Sequence, residues 1–446
     1  MQKIEIRTGI WYNDHPIHLT FPDSWDVVTH WPNTPEPLTN EEITQRINNP
    51  VGQRPLHELA KGKMAPVIIV DDLARPTPVF SILPFLLEQF RMAGVPLNAI
   101  RILVATGTHG EQNEKGLANK IGKEAMESCR IIVHDDTKHT KFVGKTSFGT
   151  PVYVNREVAS SDLVIGVGGV YPQHTVGFGG GCKLALGILG RKSIMHLHYT
   201  HESVDGNYNI DNSFRKDLAE IARMIGLNTI YTVHTNAYLQ VVSLMSGDHY
   251  AYFPDAARFS RERYFTERPD DADVVIANAY PFDSSFTFMR KAYKALDCAP
   301  ANATRVMVAS NYEGIGTHGL FQHMTPPRFL RYRILYRRIM TMEPRVILEK
   351  IMKRLTFQKR TRAEAPEENY KLPVNAKRLW VYRPVENIDA LPDIEGITVT
   401  SSWDEIMDAI SREQSSHGAK LKVRVYPCAA LQCMDAPSSS CMTCAE

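Results

Sequence analysis

The stretch that decides the fold is residues 165–201, IGVGGVYPQHTVGFGGGCKLALGILGRKSIMHLHYTH. It opens with the end of an apolar run, residues 162–167, which is typical of a buried strand. A glycine-rich segment follows (residues 177–183, GFGGGCK), and then an apolar run that predicts the start of a helix. Glycines before a helix let backbone N–H groups approach an anion, and Lys183 adds a point charge or a nucleophile. The stretch therefore predicts a ligand site where a strand ends.

The spacing around Lys183 excludes an ATP-binding P-loop. That motif needs Gly directly before the Lys and Ser or Thr directly after it, whereas this chain has Cys182 and Leu184 there. Three histidines follow, His196, His198 and His201, and imidazoles suit Zn, Cu, Fe or Ni. From the residues alone two alternatives stay open. One is a zinc-dependent hydrolase that uses the three histidines, and the other is a non-catalytic nucleotide-binding protein.

The segments before this stretch alternate between short apolar runs and helical patterns. Residues 66–70 and 100–105 read as buried strands, and residues 78–94 between them read as a helix with Pro at its start and Gly at its end. This alternation predicts an α/β fold with a mainly parallel sheet. Polar clusters follow three predicted strands, around Asp72, around His109 and from His174 to Lys183. Because ligands bind beyond the carboxyl ends of parallel strands, the three clusters are expected to share one edge.

The length of 446 residues predicts more than one domain. We place the boundary after a predicted helix that ends in the polar segment 269–272, because residues 273–277 begin a second series of strands and helices. The prediction is two α/β domains, residues 1–268 with the cofactor site and residues 269–446, with mainly parallel sheets and the active site in the cleft between them.

Composition excludes several classes of function. A net charge of +2 argues against general binding of nucleic acid or of a membrane surface. No apolar stretch approaches a membrane span and the first residues lack the apolar core of a signal peptide, so a cytoplasmic location is expected. Four of the seven cysteines crowd the end of the chain, where a metal site and a tail of free thiols are both open interpretations; they are Cys428, Cys433, Cys441 and Cys444.

Several motifs, in this order, resemble the lactate racemase family that uses a nickel-pincer nucleotide. They are residues 71–78 (DDLARPTP), 105–109 (ATGTH), 172–174 (PQH), 177–183 (GFGGGCK), 193–198 (SIMHLH) and, more weakly, 281–283 (PFD) through 291–292 (KA). Together they span residues 71 to 292. The resemblance implies an isomerase, a racemase or epimerase of a 2-hydroxy acid. It also implies other proteins that synthesise the cofactor, and it is compatible with a homo-oligomer.

The resemblance also implies a role for each matched residue. Lys183 corresponds to the lysine that tethers the cofactor, and His198 to the protein ligand of nickel. His109 and His174 correspond to the pair of acid–base histidines. Arg75 and Lys291 correspond to the clamp on the substrate carboxylate. Asp72 and the loop of Gly179, Gly180 and Gly181 correspond to the part that holds the sugar and phosphate of the nucleotide.

The implied chemistry explains these residue types. Removing a hydride from C2 together with the hydroxyl proton gives a planar 2-keto acid, to which the hydride returns on either face. Each face then needs its own base, and imidazole is suited to this near neutral pH. The chain departs from the family where a Tyr and a Gln precede the clamp lysine, because Thr287 and Phe288 stand there. This departure predicts that the substrate is a 2-hydroxy acid other than lactate.

Overall fold

The computed structural model describes residues 1–173, 175–201, 208–316, 318, 372–373, 376–385, 394–414 and 420–434. The strands are, in chain order, β1 (Gln2–Thr8), β2 (His15–Phe21), β3 (Asp26–Thr29), β4 (Pro66–Asp71), β5 (Arg101–Ala105), β6 (Arg130–Val133), β7 (Thr140–Lys145), β8 (Pro151–Asn155), β9 (Leu163–Gly169), β10 (Pro172–Gln173), β11 (Gly177–Phe178), β12 (Thr229–Thr235), β13 (Val241–Asp248), β14 (Val274–Asn278), β15 (Thr304–Val308), β16 (Leu379–Tyr382), β17 (Ile397–Thr400) and β18 (Lys422–Tyr426).

Helices connect most of these strands. The α-helices are α1 (Asn40–Asn48), α2 (Leu56–Leu59), α3 (Leu83–Met92), α4 (Glu114–Ile121), α5 (Lys123–Ser128), α6 (Arg156–Ala159), α7 (Arg191–Thr200), α8 (Ser213–Met224), α9 (His249–Arg263), α10 (Phe286–Met289), α11 (Tyr293–Asp297) and α12 (Trp403–Glu413). The 3-10 helices are Val79–Ser81, Leu97–Ala99, Gly181–Ile188 and Arg290–Ala292. In the described part of the chain, none of the helices has the length and apolar character that crossing a membrane requires.

The first large sheet has six strands in the order β13-β12-β9-β4-β5-β6. Its strands pair in parallel, except that β13 runs antiparallel to β12. Every residue of β4 and β5 is buried, which is typical of parallel strands covered on both faces. Because β9, β4 and β5 are neighbours, their carboxyl ends lie side by side, and the expected sharing of one edge by the three polar clusters is confirmed.

The second large sheet has six parallel strands in the order β17-β16-β15-β14-β18-β3. The predicted α/β fold with mainly parallel sheets is thereby confirmed. The domain boundary after residue 268 stays a prediction. The strand β3 comes from the first part of the chain but pairs with β18, which lies near the end of the chain. The second sheet therefore contains strands from both sides of the predicted boundary.

Successive residues of the central strand β4 pack into two different hydrophobic clusters. In β4, Ile68 and Val70 belong to one buried cluster, whereas Val67 and Ile69 belong to another. This alternation follows from the two-residue repeat of a strand and leaves both faces of the sheet covered. The loops at the carboxyl ends of the strands therefore start from a backbone that is fixed by packing on both sides.

Two predicted helices differ from those observed. The helix predicted over residues 78–94 begins only at Leu83, after the short 3-10 turn Val79–Ser81. The apolar run after Lys183 is a 3-10 helix, Gly181–Ile188, and not an α-helix. This segment lies against the end of β5, where Gly107 N donates to Gly187 O at 2.8 Å and a Cβ on Gly187 would come within 2.5 Å of Ala105 O. The close approach explains why glycine stands at position 187.

Candidate active site

A cavity of about 330 Å³ lies at the carboxyl edge of the first sheet. Its walls come from the loops after β4, β5 and β9, from the 3-10 helix Gly181–Ile188 and from α7. Of the residues predicted for the site, those that line the cavity are Asp72, Arg75, His109, Gly180, Lys183 and His198. The structure thus brings together side chains that are separated by more than a hundred positions in the sequence.

The loop after β4 is anchored by a buried ion pair. Lys120 on α4 is fully buried, and its Nζ lies 2.8 Å from Asp71 Oδ1. The same amine donates to Arg75 O at 2.7 Å and to Thr77 O at 3.1 Å. Since two backbone carbonyls and a carboxylate share one ammonium group, the loop that carries Asp72 and Arg75 is held in one conformation. Sequence reasoning missed Lys120, which lies in an ordinary amphipathic helix.

His109 and Asp72 form a hydrogen-bonded pair. The Nδ1 atom of His109 lies 2.5 Å from Asp72 Oδ2. Burial lowers the pKa of His109 despite the carboxylate beside it, with Arg75 and Lys183 adding to the effect. Burial alone would raise the pKa of Asp72, but the neighbouring His109 and Arg75 lower it overall. An ionised Asp72 therefore accepts from Nδ1–H and leaves Nε2 of a neutral His109 as a base.

Lys183 presents an amine that is readily deprotonated. Burial, followed by the positive charges of Arg75 and Arg215, lowers its pKa to about 7. Arg215 on α8 supports the preceding glycine loop, because its guanidinium donates to the Val176 carbonyl at 3.3 Å and to that of Phe178. At neutral pH a large fraction of Lys183 is the neutral amine that a nucleophile requires.

The three loop glycines serve different purposes. Gly180 lines the cavity and has a φ of +78°. A Cβ on Gly179 would come within 2.7 Å of the Tyr171 ring, and one on Gly181 within 2.6 Å of the Phe253 ring. Gly180 is thus the position at which this loop borders the ligand space, while the other two allow close packing.

The hydrogen bond of His198 fixes which of its nitrogens can bind a metal. Its Nδ1 lies 2.8 Å from Ile194 O, one turn earlier in α7. Because a carbonyl oxygen only accepts, Nδ1 carries the proton and Nε2 keeps its lone pair. Burial lowers the pKa of His198 to about 4. The bond to Ile194 opposes this shift, and the charge of Lys183 adds to it. A neutral imidazole on the cavity wall is the form that ligates metals.

The other two histidines of this region belong to a buried polar network. Thr150 Oγ1 donates to Asp217 Oδ2 at 2.6 Å and contacts His196 Nδ1 at 2.9 Å. His201 contacts the same carboxylate oxygen at 2.8 Å and Ser213 Oγ at 2.9 Å. No set of three or more potential ligand side chains in the described residues is placed to hold a metal ion. The alternative of a zinc site formed by His196, His198 and His201 is therefore wrong, because two of the three imidazoles are engaged in structural bonds.

Arg75 and Lys291 both lie close to the ring of Tyr171. The guanidinium carbon of Arg75 and the Nζ of Lys291 are each 5.9 Å from the centre of the Tyr171 ring. Burial, then the positive charges of Arg75 and Lys183, lowers the pKa of Lys291 well below its ordinary value. Basic groups that disfavour one another's protonated form in a buried place suit a ligand that brings negative charge. Tyr171, which lines the cavity, was missed in the sequence because it stands beside the motif and not within it.

Phe288, one of the two residues at which the chain departs from the family pattern, lies beside His109. The Phe288 ring meets the His109 ring edge-on at 5.0 Å, and Thr287 Oγ1 donates to Ile315 O at 2.7 Å. A further imidazole, His318, lies 5.0 Å from His109 and lines the cavity. Sequence reasoning missed His318, since nothing near it in the chain matches a known motif.

Some predicted residues lie outside the described part of the chain. They are His174, Cys441 and Cys444. Cys428 and Cys433 are buried and are not joined in a disulfide bond, and burial raises the pKa of Cys428. A neutral buried thiol is a packing group and a poor metal ligand.

Comparisons with known proteins place this arrangement in a family. The model of the lactate racemase N-terminal domain matches residues 12–208. The chain is 32% identical to the lactate racemase of Lactiplantibacillus plantarum over 321 residues, which are 68% of this chain and 74% of that protein. It is 27% identical to the lactate racemase of Thermoanaerobacterium thermosaccharolyticum over 318 residues, 67% of this chain and 73% of that protein.

A solved structure agrees at the level of the fold. The lactate racemase apoprotein from Thermoanaerobacterium thermosaccharolyticum superposes with a TM-score of 0.65 at 20% identity, covering 98% of this chain and 100% of that one. The sequence motifs, the sequence identity and the fold lead to the same conclusion. The chain belongs to the lactate racemase family.

Proposed function

We propose that the protein is an isomerase that racemises or epimerises a 2-hydroxy acid. The observation that carries the proposal is the Asp72–His109 pair, with Nδ1 and Oδ2 2.5 Å apart, in the same cavity as Lys183. An oriented neutral imidazole beside a low-pKa amine is more than nucleotide binding requires. The relatives named lactate racemase support the same reaction class.

The described residues fit a nickel-pincer nucleotide as cofactor. Lys183 has the partly deprotonated amine that a covalent tether needs, and His198 directs a neutral Nε2 lone pair away from its helix. Gly180 borders the cavity without a side chain. When bound, such a cofactor supplies reversible acceptance of a hydride from C2 of the substrate. We propose that Lys183 tethers it, that His198 ligates its nickel, and that Asp72 and the Gly179–Gly181 segment lie beside its sugar and phosphate.

The remaining steps belong to the side chains of this chain. Arg75 and Lys291 bind the carboxylate of the substrate and fix the position of C2. His109 Nε2 removes the proton of the 2-hydroxyl group as the C2–H bond breaks, which leaves a planar 2-keto acid. Asp72 stabilises the imidazolium that forms. His174 as the base on the opposite face stays a prediction.

We also propose that the site lies in a cleft between two domains. Its cofactor side is built from the first sheet, whereas Phe288, Lys291 and His318 follow strands of the second sheet. Thr287 donates its hydroxyl proton to a backbone carbonyl and Phe288 is apolar, so the substrate meets different groups from those expected for lactate. The substrate is therefore proposed to be another 2-hydroxy acid.

The experiment that tests this function uses protein expressed in a host that makes the cofactor. Intact-mass spectrometry establishes an added mass, and peptide mapping places it on Lys183. Single enantiomers of several 2-hydroxy acids are then incubated with the protein and analysed by chiral chromatography. We expect at least one to be inverted, with K183A inactive and K192A, an exposed lysine nearby, fully active. Loaded protein that inverts none of them would contradict the proposal.

A further inference from the structure

Tyr171 is fixed in the wall of the cavity by the loops around it. Gly179 N donates to Tyr171 O at 2.8 Å, which holds the backbone at this position. A Cβ on Gly169 would come within 3.4 Å of the Tyr171 ring and one on Gly179 within 2.7 Å, so both glycines pack closely against it. The ring of Phe282 meets it edge-on, with 5.2 Å between the ring centres. The phenol therefore has one defined orientation.

The hydroxyl of Tyr171 has no hydrogen-bond partner among the residues that the structure describes. Only 4% of the residue is exposed, and it lines the cavity. Burial raises the pKa of Tyr171, so the phenol keeps its proton and is a hydrogen-bond donor. Because a buried donor without an acceptor is unfavourable, this hydroxyl points to a ligand that supplies an acceptor.

Two basic side chains beside this ring are also without an acidic partner. The guanidinium carbon of Arg75 and the Nζ of Lys291 each lie 5.9 Å from the centre of the Tyr171 ring. In the part of the chain that the structure describes, Arg75 donates to Ala74 O at 2.9 Å, and neither basic group forms an ion pair with a carboxylate. A guanidinium has five N–H donors and no acceptor, so Arg75 cannot accept the phenol proton.

The hydroxyl end of Tyr171 is near the guanidinium as well as the ring face. Burial lowers the pKa of Arg75, but the Tyr171 phenol, followed by Asp72 and Asp71, raises it overall. The phenol thus affects Arg75 more strongly than either neighbouring carboxylate does. A carboxylate ligand has two oxygens with about four lone-pair sites between them, enough for a guanidinium, an amine and a phenol together.

We propose that Tyr171 is a further substrate-binding residue, whose hydroxyl donates a hydrogen bond to the carboxylate that Arg75 and Lys291 bind. The inference rests on the proposed racemase function and adds a third member to the carboxylate site. Because every 2-hydroxy acid has this carboxylate, Tyr171 contributes equally to the binding of all accepted acids and does not discriminate among them at C3.

The test compares cofactor-loaded wild type and Y171F on each 2-hydroxy acid that wild type inverts. Glycolate, which is achiral and has no C3, serves as a competitive inhibitor. Y171F should raise KM for every acid and the inhibition constant of glycolate by one common factor of about tenfold, with kcat changed less than threefold. The urea midpoint should not fall, because the variant keeps the packed ring and removes an oxygen that has no bond to the described residues.

Y293F is the matched control. Tyr293 belongs to the same buried cluster as Tyr171, and its hydroxyl likewise has no partner among the described residues. Tyr293 does not line the cavity, so Y293F should match wild type in KM, in kcat and in the inhibition constant of glycolate.

The outcomes separate the inference from the function on which it rests. If loaded wild type inverts none of the acids, the racemase proposal fails, and calorimetric titration of glycolate into wild type and Y171F still tests the carboxylate site. If Y171F equals wild type, or loses kcat with KM unchanged, the role of Tyr171 is wrong while the function stands. A smaller fraction of cofactor-loaded Y171F in intact-mass spectra, or a lower urea midpoint, would also overturn it, because Tyr171 would then serve the cofactor or the fold.

Discussion

At the scale of single residues, the site depends on which nitrogen of each imidazole is committed to a structural hydrogen bond. His109 gives Nδ1 to Asp72, and His198 gives Nδ1 to the Ile194 carbonyl. In both, Nε2 is left for the chemistry that we propose, as a base in His109 and as a metal ligand in His198. His196 and His201 contact Thr150, Asp217 and Ser213 and take no part in the cavity wall.

Replacing Asp72 tests the orientation of His109. In D72N the amide can donate to Nδ1, which would place the imidazole proton on Nε2 and remove the base. We expect kcat to fall roughly a hundredfold or more with KM little changed, measured on cofactor-loaded protein. E111Q, which removes an exposed carboxylate close in sequence, should behave as wild type. A loss confined to KM would show that Asp72 binds substrate and does not orient the base.

The lowered pKa of Lys183 predicts selective acylation. With a pKa of about 7, its neutral fraction rises with pH through 7 and levels off above 8, whereas an ordinary lysine with a pKa of about 10.4 stays almost wholly protonated there. Brief treatment of cofactor-free protein with acetic anhydride at pH 6 to 9, followed by peptide mass spectrometry, measures this. We expect labelling of Lys183 to reach its plateau before that of exposed Lys61 becomes substantial. Labelling of both lysines that is low at pH 7 and still rising together at pH 9 would contradict the lowered pKa.

At the scale of elements, α7 is held by the buried network beneath it. The Thr150 hydroxyl has one proton, which it donates to Asp217, so its oxygen accepts from His196 Nδ1. Thr150, which directly precedes β8, therefore connects α7 to α8. The position of His198 depends on this connection, because His198 lies on α7 between His196 and His201, the residue directly after the helix.

Removing the Thr150 hydroxyl tests that connection. T150V keeps the shape but leaves His196 Nδ1 and an oxygen of Asp217 with fewer bonds in a buried place. We expect the free energy of unfolding to fall by about 2 kcal/mol, measured by urea denaturation. T137V is a matched control, because the exposed Thr137 hydroxyl also donates to a carboxylate, Asp135, at 2.6 Å. If the two substitutions lowered the free energy of unfolding equally, burial of the network would contribute nothing to stability.

The elements that could be predicted from the sequence are those with local signals. The strands β4, β5 and β9 are short apolar runs with polar residues at or soon after their ends, and their neighbouring positions follow from the parallel α/β pattern. The 3-10 geometry after Gly180 could not be predicted, because it depends on contact of Gly187 with β5. The same holds for the separation of His198 from His196 and His201, which depends on Thr150 and Asp217, residues distant in sequence.

At the scale of the whole molecule, buried polar contacts attach the first residues of the chain to loops that follow strands of the second large sheet. Asp283, in the loop after β14, accepts from Thr8 Oγ1 at 2.9 Å, from Gly9 N at 2.7 Å and from Ser310 Oγ at 2.8 Å. Burial raises the pKa of Asp283, and the hydrogen bonds that it accepts oppose this. The segment that follows β1 is thus fixed to the same loop region that leads to α10 and Lys291.

Buried histidines predict the response of the whole fold to acid. Burial lowers the pKa of both His234 and His249 to about 4. In the unfolded chain these rings take up protons near pH 6.5, so between pH 6.5 and 4 the unfolded state binds more protons and stability falls as pH falls. The loss should approach about 3 kcal/mol for each ring by pH 4.

Urea denaturation at pH 7.5, 6.5, 5.5 and 4.5 measures this dependence. The free energy of unfolding of H234Q should decline less steeply with falling pH than that of wild type. H139Q, which replaces an exposed histidine, should follow the wild-type slope. Parallel slopes for all three proteins would show that His234 is not held neutral by the fold.

The central claim is that this cavity inverts a 2-hydroxy acid by moving a hydride from C2 and returning it. The most direct measurement follows single enantiomers of several C2-deuterated 2-hydroxy acids in ordinary water with the cofactor-loaded protein, using chiral chromatography and mass spectrometry. We predict that the inverted product keeps deuterium at C2, because the transferred nucleus does not exchange with water. Inversion with replacement of deuterium by hydrogen, or no inversion when Lys183 carries the cofactor, would contradict the account.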